Sequence, residues 1–285
     1  MEERIDSTGE LLIKGFIIGA VDVVAGVSGG TMAIIVGLYE RILDGLAKVD
    51  FTAFKLFIRG KWRELFTYIP VAFLLRVTIG VGLAIIICSR IITLFRASFP
   101  LYTQAALFGL MLASAYLVHT HIQKKNIRTV ALMFIGFGVG WMFVGILPAV
   151  LPQNSPVLFL CGMVAVMAAL LPGLSGAFTL QILGQYYPVL EAINRHDITF
   201  LAPFVAGMIV GGLLFVRVVA WLLKHYHDAT IALLLGLMLG SIRKIWPWQS
   251  GAPAMTGETV IALICIAFGV SIVLGIHRYV ERKSV

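Results

Sequence analysis

The chain has 285 residues, of which 60% are hydrophobic and only 13% are charged. Soluble domains carry about 25% charged residues, so this composition excludes an ordinary soluble enzyme or nucleic-acid-binding domain and predicts a membrane protein. The formal net charge of +8 comes mainly from lysines and arginines in short loops, the bias produced by membrane insertion, so nucleic acid is not predicted as a partner. The whole chain, residues 1–285, is interpreted as one membrane domain.

In chain order, the first predicted element is a re-entrant helical hairpin at residues 11–46. The small residues Ala25-Gly26-Val27-Ser28-Gly29 divide it into two apolar pieces, Leu11–Val24 and Thr31–Leu46. Helices of 14 and 16 residues extend about 21–24 Å, which is short of a hydrocarbon core of about 30 Å. A hairpin that returns to its own side is therefore favoured, although a pair of full spans gives the same overall orientation.

The next segment, residues 47–68, has apolar residues at helical spacing among basic ones. This pattern predicts an amphipathic helix at the membrane surface, with its basic side toward anionic headgroups. An ordinary basic loop is the alternative. The apolar residues are Phe51, Phe54, Ile58, Trp62 and Leu65, and the basic residues are Lys55, Arg59, Lys61 and Arg63.

Continuous apolar runs then predict six full spans, near 69–95, 101–121, 128–150, 199–223, 229–247 and 257–279. Between the third and fourth spans, residues 156–193 form a second predicted re-entrant hairpin. Its pieces Pro156–Leu171 and Phe178–Ile193 flank Pro172-Gly173-Leu174-Ser175-Gly176. Each predicted hairpin is thus followed by three spans.

Three matches in the same order indicate that residues 11–150 and 156–279 are an internal duplication. The two small-residue turns are followed at equal spacing by Gly37 and Gly184. Gly109-Leu110-Met111-Leu112 matches Gly236-Leu237-Met238-Leu239, and Arg90 and Arg217 each lie 19 residues before those runs. Since each half crosses an odd number of times, the predicted fold is all-α, with two inverted-topology repeats of one hairpin and three transmembrane helices.

Loop charge predicts cytoplasmic N- and C-termini, because the loops assigned to the inside hold most of the basic residues. Met1 begins a polar stretch of mixed charge, so no cleavable signal peptide is predicted. The inside residues are Lys48, Lys55, Arg59, Lys61, Arg63, Lys124, Lys125, Arg128, Lys224, Arg278, Arg282 and Lys283, against Arg96, Arg195, Arg243 and Lys244 outside.

The two turns are the predicted binding site for an anion. A broken helix within a membrane persists where it lines a cavity, and the N–H groups and positive dipole of the following half-helix attract negative charge. The alternative is that these small residues only allow tight helix packing. The residues assigned to a phosphate are Gly26, Ser28, Gly29, Gly30, Thr31, Gly173, Ser175 and Gly176.

Ionisable residues within the apolar segments are the other functional candidates, because they are expensive to place in a membrane. Arg76, Arg90 and Arg217 are assigned to the phosphate, with snorkelling to headgroups as the alternative for Arg90 and Arg217. Asp22, Glu40 and Arg41 are assigned to ion coupling or charge pairing, and for Asp22 a helix cap or a structural pair is the alternative.

The cysteines and histidines do not indicate a metal site. Cys88, Cys161 and Cys265 lie in apolar runs, as small core residues do. The histidines, at His119, His121, His225 and His227, lie at span ends without partners at ligand spacing and are interpreted as interfacial residues. No cofactor motif is present, and no enzymatic activity or metal is predicted.

The motifs around Asp22–Asp44 and Pro172–Tyr186 resemble the PopT-type undecaprenyl-phosphate translocases, a bacterial membrane family. The resemblance covers nearly the full length and departs at Ala25, where the family has proline. It implies a flippase in the cytoplasmic (inner) membrane that returns undecaprenyl phosphate from the outer to the inner leaflet for synthesis of peptidoglycan and other envelope polymers. Alternating access coupled to a proton or sodium ion is the expected mechanism.

Two alternatives from other classes are a membrane polyprenyl-pyrophosphate phosphatase and a small-ion carrier or channel. The phosphatases also have inverted repeats and re-entrant hairpins, but their Pro-Gly-Xaa-Ser-Arg-Ser-Gly motif needs an arginine where this chain has Gly176. Phosphate release from lipid pyrophosphate distinguishes the first alternative, and dependence of binding on the lipid tail distinguishes the second.

Overall fold

The computed structural model describes residues 6–22, 28–149, 151–248 and 257–284. All regular structure in these ranges is helical. The α-helices are α1 (Thr8–Asp22), α2 (Gly29–Ile35), α3 (Tyr39–Ala47), α4 (Phe51–Ile58), α5 (Trp62–Tyr68), α6 (Val71–Ser98), α7 (Pro100–Thr120), α8 (Ile127–Val144), α9 (Ser155–Leu170), α10 (Gly176–Ile182), α11 (Tyr186–Arg195), α12 (Ile198–Ser241) and α13 (Gly257–Ser284). A 3-10 helix, Ile242–Ile245, follows α12. Five helical segments in the described ranges are long and apolar enough to cross a membrane, which confirms a multi-pass, all-helical protein.

The longest helix, α12, contains the fourth predicted span and most of the fifth, which continues into the 3-10 helix. Its backbone leaves helical geometry at Tyr226 (φ −136°, ψ 46°), between those two predicted segments. The third predicted span is shorter than expected, since α8 ends at Val144. A proline disfavours helical geometry at the residue that precedes it. Pro148 lies in the segment after α8 that has no regular structure.

The second arm of each predicted hairpin is two helices rather than one. Gly37 (φ +71°) lies between α2 and α3, and Gly184 (φ +67°) between α10 and α11. A backbone hydrogen bond spans each glycine. Leu38 N–H donates to Ala33 O at 2.8 Å at the end of α2, and Gln185 N–H donates to Leu180 O at 2.9 Å at the end of α10. This is the Schellman ending, in which a glycine adopts the left-handed conformation just after a helix.

The surface segment 47–68 also divides into two helices, α4 and α5, where the sequence indicated one. Gly60 (φ +67°) ends α4 in the same way, with Lys61 N bonded to Leu56 O at 3.0 Å. Phe51 is 78% exposed and Ile58 67% exposed, whereas Leu65 is buried. Most of the predicted apolar stripe therefore faces outward from the protein, and its position at the membrane surface stays a prediction.

Glycines mark the closest contacts between the long helices. On α1 and α6, Gly15 lies against Val77 and Gly80 against the Leu12 carbonyl. On α9 and α12, Gly162 lies against the Phe204 carbonyl and Gly207 against the Phe159 carbonyl. Helices approach this closely only where no side chain separates the backbones.

The remaining long helices pair across the chain. Gly109 of α7 lies against Ile266 of α13, and Gly269 of α13 lies against Ala106 of α7. In the same way α8 packs on the second part of α12, where Gly136 meets Leu233 and Gly236 meets Met133. These contacts surround a core in which Met111 and Met238, the methionines of the repeated Gly-Leu-Met-Leu run, are fully buried.

Candidate functional site

The two small-residue turns meet each other in the structure. The Ser28 hydroxyl donates to the Leu171 carbonyl at 3.2 Å, and the Tyr39 hydroxyl donates to the Leu170 carbonyl at 3.0 Å. A Cβ atom at Gly30 would lie 3.3 Å from the Leu170 carbonyl oxygen. The start of α2 and the end of α9 are thus in direct contact, although they are far apart in sequence.

Several N–H groups at the start of α2 and α10 donate to groups of the chain itself. Gly29 N–H donates to the Asp22 carboxylate at 2.8 Å, and Gly30 N–H donates to the Ser28 hydroxyl at 3.2 Å. Ser175 accepts from Phe178 N–H at 3.4 Å in the second turn. Asp22 therefore makes a cap-type contact, and an anion that bound Gly29 N–H would have to displace it.

Thr31, by contrast, has a hydroxyl that no described residue satisfies. Its side chain is fully buried, and its Oγ1 has no hydrogen-bond partner in the described part of the chain. A buried hydroxyl without a partner is unfavourable. The Thr31 hydroxyl is therefore a candidate hydrogen-bond donor to a phosphate at the first turn.

The glycines of the second turn make close packing contacts. Gly173 has φ +85°, and a Cβ atom there would lie 2.5 Å from Met238 Cα. A Cβ atom at Gly176 would lie 2.7 Å from the Ala165 carbonyl oxygen. Close contacts of this kind are what the packing alternative predicts, and the assignment of these two glycines to the phosphate stays a prediction. Gly26, the equivalent residue of the first turn, lies outside the described residues, as does Ala25.

A series of cavities leads away from the contact between the turns. The first, of about 230 Å³, is lined by Asp22, Gly29 and Tyr39 together with Leu170 at the end of α9. Tyr39 also lines a polar cavity of about 250 Å³, and Glu40 and Asp44 line both this cavity and a larger one of about 560 Å³. The shared residues make the three cavities neighbours along α3.

The polar cavity brings together charged groups that are distant in sequence. His227 Nε2 lies 3.1 Å from a Glu40 carboxylate oxygen, and His227 Nδ1 lies 3.5 Å from Asp228. His121 lines the same cavity. The interpretation of His121 and His227 as plain interfacial residues missed this grouping. The available signal was the position of His227 beside an acidic residue at the junction of two predicted spans.

Arg41 pairs with neither Asp22 nor Glu40. Its Nη1 lies 2.7 Å from Asp6, whose other carboxylate oxygen lies 2.7 Å from Lys14 Nζ. The Arg41 guanidinium also lies over the Phe73 ring at 4.4 Å. Asp6 precedes the first predicted apolar piece, so spacing along the chain gave no indication of this contact.

The three arginines assigned to the phosphate are not gathered at the turns. Arg76 is next to Val77, which lines the first cavity, and it has no hydrogen-bond or ion-pair partner among the described residues. Arg90 is exposed, and its distance along α6 from Val81 of the same cavity is about 13 Å. Arg217 donates to the Val49 carbonyl at 2.5 Å, at the start of the surface segment.

Asp50 anchors that surface segment. Its carboxylate accepts from Ala53 N–H at 2.9 Å and from the Tyr68 hydroxyl at 2.8 Å, which ties α4 to the end of α5. Desolvation raises the pKa of Asp50, but these hydrogen bonds and the positive charge of Arg217 outweigh it, so the pKa lies below its usual value.

A lowered pKa means that the Asp50 contribution to stability is present above the usual pKa of 3.8 and is lost as the pH falls through the lowered value. At pH 6, residues 51–68 should therefore exchange severalfold more slowly in the wild type than in Asp50→Asn, and this difference should disappear once the pH falls below the lowered pKa of Asp50. Mass spectrometry of peptic peptides measures this, with Glu64→Gln as the control. Equal exchange in wild type and Asp50→Asn at pH 6 would contradict the anchoring role.

Comparisons with known proteins identify the family. Residues 18–262 match the VCA0040-like family, described as undecaprenyl phosphate translocase-like. The chain is 30% identical to the polyprenyl-phosphate transporter of Vibrio cholerae over 95% of this chain and 96% of that protein. It is 28% identical to the polyprenyl-phosphate transporter of Staphylococcus aureus over 93% of this chain and 95% of that protein. No solved structure matches the chain. Since the family match covers most of its length, the chain belongs to the undecaprenyl phosphate translocase-like family.

Proposed function

We propose that this protein transports a polyprenyl phosphate, undecaprenyl phosphate in particular, across the bacterial cytoplasmic membrane. The observation that carries the proposal is the series of cavities from the contact between the two turns, through Tyr39, to the polar surface around Glu40 and Asp44. Only the anionic head of such a lipid needs a polar route, because the tail stays in hydrocarbon. The two similar proteins named polyprenyl-phosphate transporters support the same substrate.

The proposed phosphate site is the contact between the turns. Ser28, Gly29, Gly30 and Thr31 contribute from the first turn, and Thr31 Oγ1 has no hydrogen-bond partner within residues 6–22, 28–149, 151–248 and 257–284. In this proposal the phosphate takes the Gly29 N–H from Asp22. The second-turn residues Gly173, Ser175 and Gly176, and the arginines Arg76, Arg90 and Arg217, stay assigned to the phosphate as sequence-based predictions.

Two inverted repeats with re-entrant hairpins are the proposed architecture. Helices α2 and α10 both have seven residues, and the left-handed glycines that follow them, Gly37 and Gly184, are 147 positions apart (184 − 37). Ser28 and Ser175 are separated by the same 147 positions (175 − 28). These equivalences support the repeat, and its inverted topology is proposed from the odd number of crossings predicted for each half.

The proposed direction is from the outer to the inner leaflet, which returns the lipid carrier for peptidoglycan and envelope polymer synthesis. Both termini are proposed to be cytoplasmic, from the excess of basic residues in the loops on that side. Transport by alternating access is proposed to be driven by a proton or sodium ion carried by Asp22 or Glu40, which line neighbouring cavities.

The function is tested in liposomes that contain only this protein. A fluorescent polyprenyl phosphate in the outer leaflet should become protected from an external quencher, whereas the corresponding polyprenyl pyrophosphate should release no phosphate. The neutral polyprenol and empty liposomes are the controls. Protein-independent protection, or equal protein-dependent movement of polyprenol, would refute transport of the phosphate, and phosphate release would indicate the phosphatase alternative.

Ion coupling is tested by neutralising the two carboxylates. Asp22→Asn or Glu40→Gln should abolish the dependence of transport on an imposed proton or sodium gradient, because the ion-binding charge is removed, while lipid binding remains measurable. Asp197→Asn removes a carboxylate that caps α12 away from these cavities, and it should keep the gradient dependence. Unchanged gradient dependence in both Asp22→Asn and Glu40→Gln would assign these carboxylates a structural role only.

A further inference from the structure

The pair Lys14 and Arg41 already holds an anion in this structure. The Asp6 carboxylate lies between them, with one oxygen 2.7 Å from Lys14 Nζ and the other 2.7 Å from Arg41 Nη1. The side chains of Asp6 and Lys14 are only 15% and 17% exposed, and that of Arg41 is 39% exposed. The two cations therefore have the charge and the spacing to bind a small anion of geometry similar to this carboxylate.

Lys14 and Arg41 have more hydrogen-bond donors than they use in binding the Asp6 carboxylate. Arg41 has five N–H donors and Lys14 has three, but each contributes one hydrogen bond to Asp6. A phosphate monoester has three terminal oxygens and a charge of about −1.5 to −2 at pH 7. Its charge matches the two cations, whereas Asp6 neutralises only one of them.

The surroundings fit a lipid headgroup. Arg41 also lines the polar cavity that contains Tyr39 and Glu40, so the site lies at the boundary of the proposed transport route. Phe73 covers one face of the guanidinium, which fixes its orientation. Ile13, which precedes Lys14 on α1, is 48% exposed, so exposed apolar surface suited to a polyprenyl tail lies within one helical turn of Lys14.

We infer that Lys14 and Arg41 form a second binding site for the phosphate monoester headgroup of a polyprenyl lipid, and that Asp6 competes with that headgroup as an internal anion. The inference rests on the proposed function. The lipid would leave the contact between the turns, bind Lys14 and Arg41, and be displaced by Asp6. Asp6 thereby favours release from this site.

The inference is tested by the affinity of the purified full chain in nanodiscs for polyprenyl phosphate, polyprenol and inorganic phosphate. Lys14→Gln and Arg41→Gln should each weaken polyprenyl phosphate binding by roughly tenfold or more, because each removes a charge-assisted hydrogen bond. Asp6→Asn should strengthen it by about threefold to tenfold, because the competing charge is removed. Polyprenol binding should not change in any variant.

Lys61 and Glu64 provide matched controls, since they form an ion pair of the same 2.7 Å length that is open to solvent. Lys61→Gln and Glu64→Gln should leave the affinity unchanged. Weaker or unchanged binding in Asp6→Asn, with the thermal unfolding midpoint of the wild type, would overturn the competition. If Asp6→Asn is unstable, unchanged affinity in both Lys14→Gln and Arg41→Gln overturns the site.

The outcomes also separate this inference from the function on which it rests. Transport by the wild type with unchanged affinity in all three site variants would refute the second site alone. Absence of both transport and polyprenyl phosphate binding in the wild type would refute the proposed function. Inorganic phosphate that binds as tightly as the lipid would overturn the assignment to a lipid headgroup.

Discussion

Gly173→Ala is expected to lower the free energy of unfolding by about 2–5 kcal/mol, from the sum of two costs. The residue has φ +85°, and the left-handed conformation costs a non-glycine residue roughly 1–2 kcal/mol. The added Cβ would also lie 2.5 Å from Met238 Cα, and overpacking of a well-packed site typically costs about 1–3 kcal/mol. Chemical denaturation in detergent micelles, followed by tryptophan fluorescence, measures the sum.

Gly60 separates the two costs. It has φ +67°, but no atom lies within 4 Å of a Cβ atom built there. Gly60→Ala should therefore show only the conformational cost, about 1–2 kcal/mol. If Gly173→Ala is no more destabilising than Gly60→Ala, the second turn does not pack on the Gly-Leu-Met-Leu run of α12 as described.

The second large effect is expected at the contact between α1 and α6. A side chain at Gly80 would overlap the Leu12 carbonyl, which is backbone and can move only with its helix. Gly80→Val should separate the two helices and abolish the monodisperse, folded species after extraction in detergent, which size-exclusion chromatography measures directly. Gly207→Val should do the same for α9 and α12, where the Phe159 carbonyl is in the way.

Gly82 is the matched control, two residues further along the same helix. Nothing lies within 4 Å of a Cβ atom there, so Gly82→Val should elute as the wild type does. Both substitutions place the same branched side chain in an apolar helix, and differences in helix propensity therefore cancel. Loss of the folded species in both variants would mean that valine in α6, rather than the contact with α1, causes the defect.

Hydropathy and the repeated motifs were enough to predict the class of fold and most of the spanning helices, because a hydrocarbon core imposes length and composition directly. They could not predict the division of each hairpin arm at Gly37 and Gly184. A single glycine within an apolar run is compatible with a continuous helix, and the hydrogen bonds that end α2 and α10 depend on where the next helix must go.

The charged contacts were the least predictable part of the candidate site. The sequence identified Asp22, Glu40 and Arg41 as ionisable residues that need partners, because they lie within apolar segments predicted to enter the membrane. The partners themselves are set by tertiary packing, as with Asp6 for Arg41 and His227 for Glu40. The two residues of each pair are far apart in sequence and do not lie one turn apart on the same helix, so no local sequence pattern could indicate either contact.

The pairing of α7 with α13 has a consequence for how the chain is made. Gly109 of α7 packs on Ile266, and Gly269 packs on Ala106, so each helix covers the small-residue face of the other. The contacting residues are separated in sequence by more than half of the length of the chain. During synthesis α7 enters the membrane long before α13 has been translated. Its small-residue face must then be covered by lipid or by an insertion factor, and the release of that cover is a late step in assembly.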